Sequence, residues 1–181
     1  MPEDHGWFVT ATGRKVYVMD PGPEDVCIED IAHALSHICR FGGHCKTFYS
    51  VAQHSVLVSK HVPAGLALEG LLHDATEAYV GDMIRPLKRQ MPEYVEAENA
   101  WHEAIIARFG LLDGGRDVKL VDSRALMFER EVLGHERWMA WPWMEDEADI
   151  PKLEPEHWPG PLGPADAKLQ FLNRYEALRR P

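Results

Sequence analysis

His54, the adjacent pair His73-Asp74, and Asp122 are the residues whose types and order could do chemistry, because imidazole and carboxylate groups hold divalent cations. Two imidazoles and two carboxylates form a mixed nitrogen and oxygen donor set suited to Mn²⁺, Co²⁺, Fe²⁺, Zn²⁺ or Ni²⁺, with Mg²⁺ a further candidate. Four such donors can hold one ion and leave positions for water and a phosphate oxygen. A His-Asp dipeptide alone carries no weight, since ten histidines and twelve aspartates in 181 residues give about 0.7 such pairs by chance. Specificity comes from context: one histidine on a helix, the pair on the next helix, and an aspartate on a later one. Water on a metal loses its proton far more readily than bulk water, so it can attack phosphorus near neutral pH.

Other side chains complete a reactive set. Glu77, about one helical turn beyond His73, can reach the same cleft to orient water or accept its proton, and Asp82 can position or protonate a leaving oxygen. Arg40 offers a planar fork for phosphate or ribose, Phe41 a face for base stacking, and Gly42-Gly43 allow close backbone approach to a ligand. His44, Lys46, Arg85 and Lys88 are further candidates for phosphate contacts. Simpler readings exist for several of these. Glu77 and Asp82 can be helix-surface and turn carboxylates, and Arg40 can pair with Asp30 or Glu29.

The order His54, His73-Asp74, Asp122 resembles the H…HD…D signature of the HD-domain phosphohydrolase superfamily. The run His73-Asp74-Ala75-Thr76-Glu77 followed by Gly81-Asp82 is similar to bacterial HD-domain 5′-deoxynucleotidases and phage HD-domain deoxynucleotide triphosphohydrolases. The similarity spans about Ile28 to Val132. It implies that His54, His73, Asp74 and Asp122 are the metal ligands, that Glu77 and Asp82 lie near the attacked phosphate, and that Arg40 contacts substrate. Phe41 fits the bulky aromatic that follows this arginine in the similar nucleotidases, whereas Gly42-Gly43 departs from the larger side chains there. The resemblance also implies a homo-oligomer. Monophosphate and triphosphate substrates both stay open; cyclic-nucleotide or (p)ppGpp hydrolysis, or a non-catalytic nucleotide sensor, are the alternatives.

The elements that must position these residues are helical. A small hairpin is expected around Gly13, joining Trp7–Thr10 to Val16–Met19. Helical spacing then predicts one helix from about Ile28, a second over about Tyr49–His61, and a third opened by Pro63 and running to Gly81. Two more are expected through Val95–Phe109 and Asp117–Val132. On the third helix, His73, Asp74 and Glu77 stand where a packed helix would place aliphatics, an arrangement that is costly unless the groups are satisfied. Trp138–Gly163, with four tryptophans and five prolines, reads as a wrapping segment that packs rather than stacks bases. Ala165–Arg180 reads as a closing helix whose apolar stripe, with the Trp-rich segment, is a candidate contact surface. The expectation is therefore one all-α HD-type domain over 1–181: a lead-in at 1–27, a metal-binding core at 28–135, the wrapping segment at 136–164 and a closing helix at 165–181.

Length and composition agree with a single core, at 181 residues and 45% hydrophobic. Cys27, Cys39 and Cys45 are odd in number and lack C-x-x-C spacing, which favours a reducing, cytoplasmic setting over a disulfide framework or zinc ribbon. No apolar run approaches the roughly 20 residues of a membrane span, and the N-terminus lacks the basic-then-apolar order of a signal peptide. A net charge of −10 disfavours duplex nucleic acid as a partner but not a small anionic nucleotide, because a local cation can reverse the potential of one cleft.

Overall fold

Two short antiparallel strands, β1 (Trp7–Val9) and β2 (Lys15–Tyr17), open the structure, a computed structural model that describes residues 6–112, 115–134 and 153–179. The hairpin lies where the sequence predicts it. It is fastened to the helical body by polar contacts: Asp30 accepts from the Thr12 amide and hydroxyl at 2.7 and 2.8 Å, and the Trp101 indole N–H donates to the Val18 carbonyl at 3.0 Å.

The rest is helical: α1 (Ile28–His37), α2 (Val51–His61), α3 (Ala67–Leu72), α4 (Glu77–Val80), α5 (Arg85–Lys88), α6 (Pro92–Phe109), α7 (Gly115–Leu133) and α8 (Pro164–Arg179). The fold is all-α with a short N-terminal hairpin. Among the described residues, no helix is long and apolar enough to cross a membrane.

Helix α2 is the centre of the molecule and packs against α1, α3, α7 and α8. Ser50 caps it by accepting from the Gln53 amide at 3.2 Å, and every residue from Val51 to Ser59 is buried. A helix buried all round must satisfy its polar side chains internally. Gln53 donates to the Gly160 carbonyl at 2.6 Å and accepts from the Leu162 amide at 3.0 Å. Ser59 donates to the Ala67 carbonyl at 2.6 Å and accepts from Arg174 of α8 at 3.0 Å. These bonds fix where α3 and α8 rest on α2.

Gly70 lets α3 come this close. A Cβ there would stand 2.9 Å from a Val62 methyl and 3.1 Å from the Ser59 Cα. The inward face of α8 is Ala167, Phe171 and Tyr175, so much of the predicted apolar stripe is consumed inside the chain, while Leu169 stays exposed. Of the wrapping segment, residues 153–163 lie along α2 and α7, with Trp158 edge-on to Phe128 at 5.3 Å. Residues 136–152, with Trp138, Trp141 and Trp143, and also His135, lie outside the described residues.

The expected single helix from Pro63 to Gly81 is broken. It consists of a short 3₁₀ turn (Ala64–Leu66), α3, a tightened stretch over 73–76, and α4. In that stretch the Ala75, Glu77, Ala78 and Tyr79 amides bond three residues back, and the His73 ring occupies the Gly70 carbonyl at 2.9 Å. Beyond the break, Tyr79 stacks on Trp101 with centroids 3.8 Å apart, holding α4 against α6.

Candidate functional site

Adjacent residues on an α-helix point about 100° apart, yet His73 and Asp74 both reach His54. The break after α3 makes this convergence compatible with the chain. His54 on α2 and His73 bring their Nε2 atoms to 3.3 Å of each other. Asp74 Oδ2 lies 3.2 Å from His73 Nε2 and 3.6 Å from His54 Nε2. From α7, Asp122 Oδ1 stands 3.1 Å from His54 Nε2 and 3.9 Å from His73 Nε2. The four sequence-predicted ligands are thus neighbours in space. His54, His73 and Asp74 form the tightest group, with ligand atoms all within 4.8 Å of one another, and this group could hold a metal ion.

The hydrogen bonds of the two rings fix where their protons sit. His73 Nδ1 faces the Gly70 carbonyl, which can only accept, so Nδ1 carries the proton. His54 Nδ1 lies 2.8 Å from Glu129 Oε1, whose carboxyl burial pushes up but Arg40 and His54 hold below the usual range, so that nitrogen also donates. Both Nε2 atoms of the neutral rings therefore present lone pairs to each other and to two carboxylate oxygens. Four acceptors converging without a donor among them is the arrangement that a cation satisfies. Without one, protons must take its place. Burial and Arg40 press the His54 pKa down, but Glu129 and Asp122 overcome them and lift it to about 9. Burial raises the Asp74 carboxyl, yet His73, His54 and Arg40 outweigh it and keep that group far below the usual range. His54 is sealed from solvent, whereas the Asp74 and Asp122 side chains keep 21% and 23% of their surface, so the cluster opens on its carboxylate side.

Around the cluster the predicted residues divide. Arg40, on the loop after α1, places Nη1 3.7 Å from Asp74 and Nε 3.0 Å from Glu129 Oε2; the angle of the second contact makes it an ion pair rather than a hydrogen bond. The surface pairing with Asp30 or Glu29 does not form, because Asp30 holds Thr12 and Glu29 accepts from the Cys27 thiol at 3.0 Å. Glu77 opens α4 with a buried Oε2 that has no hydrogen-bond partner, and burial, Asp74 and Asp82 push its pKa well above the ordinary carboxyl value. Asp82 sits at the exposed rim, and its pKa is raised by the surrounding protein and by Asp74 against the pull of Arg40.

Phe41 lies below the Arg40 guanidinium, 5.6 Å from its ring centroid, and holds a left-handed backbone with φ 58°. An aromatic residue there carries strain of about 1–3 kcal/mol. Gly42 and Gly43 continue the left-handed run, and a Cβ on Gly42 would touch Ile84 at 3.8 Å, so this loop borders the segment that carries Arg85. His44 and Lys46 are exposed on the same loop. Lys88 on α5 is engaged by an ion pair with Glu98 and lies over the Tyr94 ring.

No family model matches the chain. Over 170 residues it is 41% identical to the uncharacterized protein YfdR of Escherichia coli (strain K12), covering 93% of each chain. The chain belongs to the YfdR family. A second relative, the uncharacterized protein RCAP_rcc00048 of Rhodobacter capsulatus, is 40% identical over 115 residues, 58% of this chain and 59% of its own. The first alignment extends over nearly the whole length of both chains.

Glu129 lies outside the sequence-predicted set, yet it is fully buried and touches both His54 and Arg40. The signal was present. Glu129 is seven residues after Asp122, two turns along the same face of α7, among the apolar residues Ala125, Leu126 and Leu133.

Proposed function

We propose that this YfdR-family protein is a metal-dependent phosphohydrolase of (deoxy)nucleotides, acting as a 5′-deoxynucleotidase or a dNTP triphosphohydrolase. The observation that carries this reading is the convergence of two imidazole lone pairs and two carboxylate oxygens in a site open on one side. His54, His73, Asp74 and Asp122 would hold the ion, one of Mn²⁺, Co²⁺, Fe²⁺, Zn²⁺, Ni²⁺ or Mg²⁺. When bound there, such an ion supplies Lewis acidity that makes water a nucleophile at neutral pH and neutralises charge on a phosphoryl oxygen. The HD-type order of these four residues supports the same reading.

The chain's own residues supply the rest. Glu77 suits proton transfer, because a buried carboxyl whose pKa is raised can take a proton at Oε2 from attacking water and release it later. Asp82, an exposed carboxyl whose pKa is raised, would position or protonate the leaving oxygen. Arg40, held by its Nε, turns Nη1 toward the cluster, where it would meet a phosphate oxygen and stabilise developing charge. Phe41 would offer the base a stacking face beside that arginine, and His44, Lys46 and Arg85 are the side chains that would meet further phosphates.

The test is release of phosphate, pyrophosphate or triphosphate from dNMPs, dNTPs and their ribo forms by metal-stripped protein resupplied with each ion. Release from one nucleotide class, lost in a folded Asp74→Ala variant, is the expected result. Bound metal with no turnover of any nucleotide would overturn the hydrolase reading and favour the sensor.

A further inference from the structure

Glu129 is a fully buried carboxylate with its two oxygens assigned to different partners, Oε1 to His54 Nδ1 at 2.8 Å and Oε2 to Arg40 Nε at 3.0 Å. A carboxylate is costly to bury, and one hydrogen-bonded imidazole with one guanidinium ion pair on the same anion offsets that cost. Pairing Arg40 alone would need no histidine, and orienting His54 alone would need no arginine. The two partners come from different elements, α2 and the loop after α1, and Glu129 on α7 joins them at His54 Nδ1 and Arg40 Nε, while Asp74 meets the same two side chains from the cluster side. His73 has no equivalent: its Nδ1 rests on the neutral Gly70 carbonyl. One ring of the cluster is thus backed by a charge and the other by a dipole.

We propose that Glu129 is the positioning residue of the site, fixing the His54 tautomer through one oxygen and aiming Arg40 through the other, so that one buried anion sets both a metal ligand and the phosphate-facing cation. The metal half stands on the donor geometry alone; the phosphate half rests on the reading under Proposed function. An imidazole whose Nδ1–H is held by a carboxylate is a more basic ligand at Nε2 and has less rotational freedom to lose on binding an ion. Arg40, tethered at Nε, keeps Nη1 beside Asp74 instead of sweeping the loop.

The experiment compares Mn²⁺ affinity, measured by calorimetry, in the full chain and in the variants Glu129→Gln, Arg40→Met and Glu129→Gln/Arg40→Met, each checked for folding by circular dichroism. Arg40→Met removes a positive charge near the ion and is expected to bind Mn²⁺ at least as tightly as the parent. Glu129→Gln is expected to bind roughly tenfold or more weakly, and the double variant to stay that much weaker than Arg40→Met. A double variant as tight as Arg40→Met would mean that the single substitution acted only by stranding the arginine charge, which overturns the role at His54. For the second oxygen, inorganic phosphate binding to the Mn²⁺-loaded proteins is compared. Equal, non-additive losses in Glu129→Gln and Arg40→Met support aiming of Arg40, and additive losses overturn it. Parent protein that binds Mn²⁺ but no phosphate would count against the phosphohydrolase reading and against the Arg40 half, with the Mn²⁺ comparison still deciding the His54 half.

Discussion

His54 Nε2 and His73 Nε2 face each other at 3.3 Å while the Nδ1 atom of each ring is bound on its far side, one by Glu129 and one by the Gly70 carbonyl. Neither ring can turn away without losing that bond. The metal-free cluster must then take up protons, and the His54 pKa rises from its usual 6.5 to about 9. A raised value stabilises the metal-free fold fully below about 6.5, and this contribution disappears as pH rises through about 9. An incoming ion has to displace that proton throughout the same window. Apparent Mn²⁺ affinity should therefore strengthen with pH between about 6.5 and 9, with proton release visible in calorimetry across buffers of different ionisation enthalpy. Affinity independent of pH over this range would show that His54 is not a ligand.

Glu77→Gln separates chemistry from binding. The amide keeps the shape and removes a negative charge that Asp74 and Asp82 disfavour, so thermal stability should hold or rise. Turnover should fall by roughly 10²–10⁴ with Mn²⁺ affinity little changed. Unaltered turnover would remove Glu77 from the proton-transfer role.

Gly70→Ala reports on the close approach of α2 and α3. The added methyl would press on Val62 and the Ser59 backbone at 2.9 and 3.1 Å, and the expected cost is about 1–3 kcal/mol by chemical denaturation. Because His73 and Asp74 follow directly after α3, Mn²⁺ affinity should weaken in the same variant. A stable variant with parental metal affinity would mean that the α2–α3 spacing does not govern the cluster.

Phe41→Gly tests whether the strained aromatic serves the ligand. Relief of the left-handed strain offsets lost packing of a half-buried ring, so the melting temperature should move little. Loss of a stacking face worth about 1–3 kcal/mol should raise KM for nucleotide roughly 5-fold to 150-fold with kcat largely kept. An unchanged KM would assign the ring to loop packing.

Helix identity was legible in the sequence because it is a local pattern, whereas the neighbours His54, His73, Asp74 and Asp122 were singled out by residue type and by the HD-like order in which they occur. Apolar residues at three- and four-residue spacing marked α1, α2, α6, α7 and α8 to within a few residues, and the hairpin announced itself by two β-forming runs around Gly13. The residue types of His54, His73, Asp74 and Asp122 fixed what they could bind wherever they lay. What the tertiary structure decided was direction. No local rule turns adjacent His73 and Asp74 onto one centre; the broken helix and the Gly70 contact do, through packing against α2. Periodicity also read Glu129 as one more position on a helix face, because a buried carboxylate is tolerable only beside partners that the sequence places 75 and 89 residues away, at His54 and Arg40. Side-chain type follows from sequence, but satisfaction of a buried charge is a property of three-dimensional neighbours.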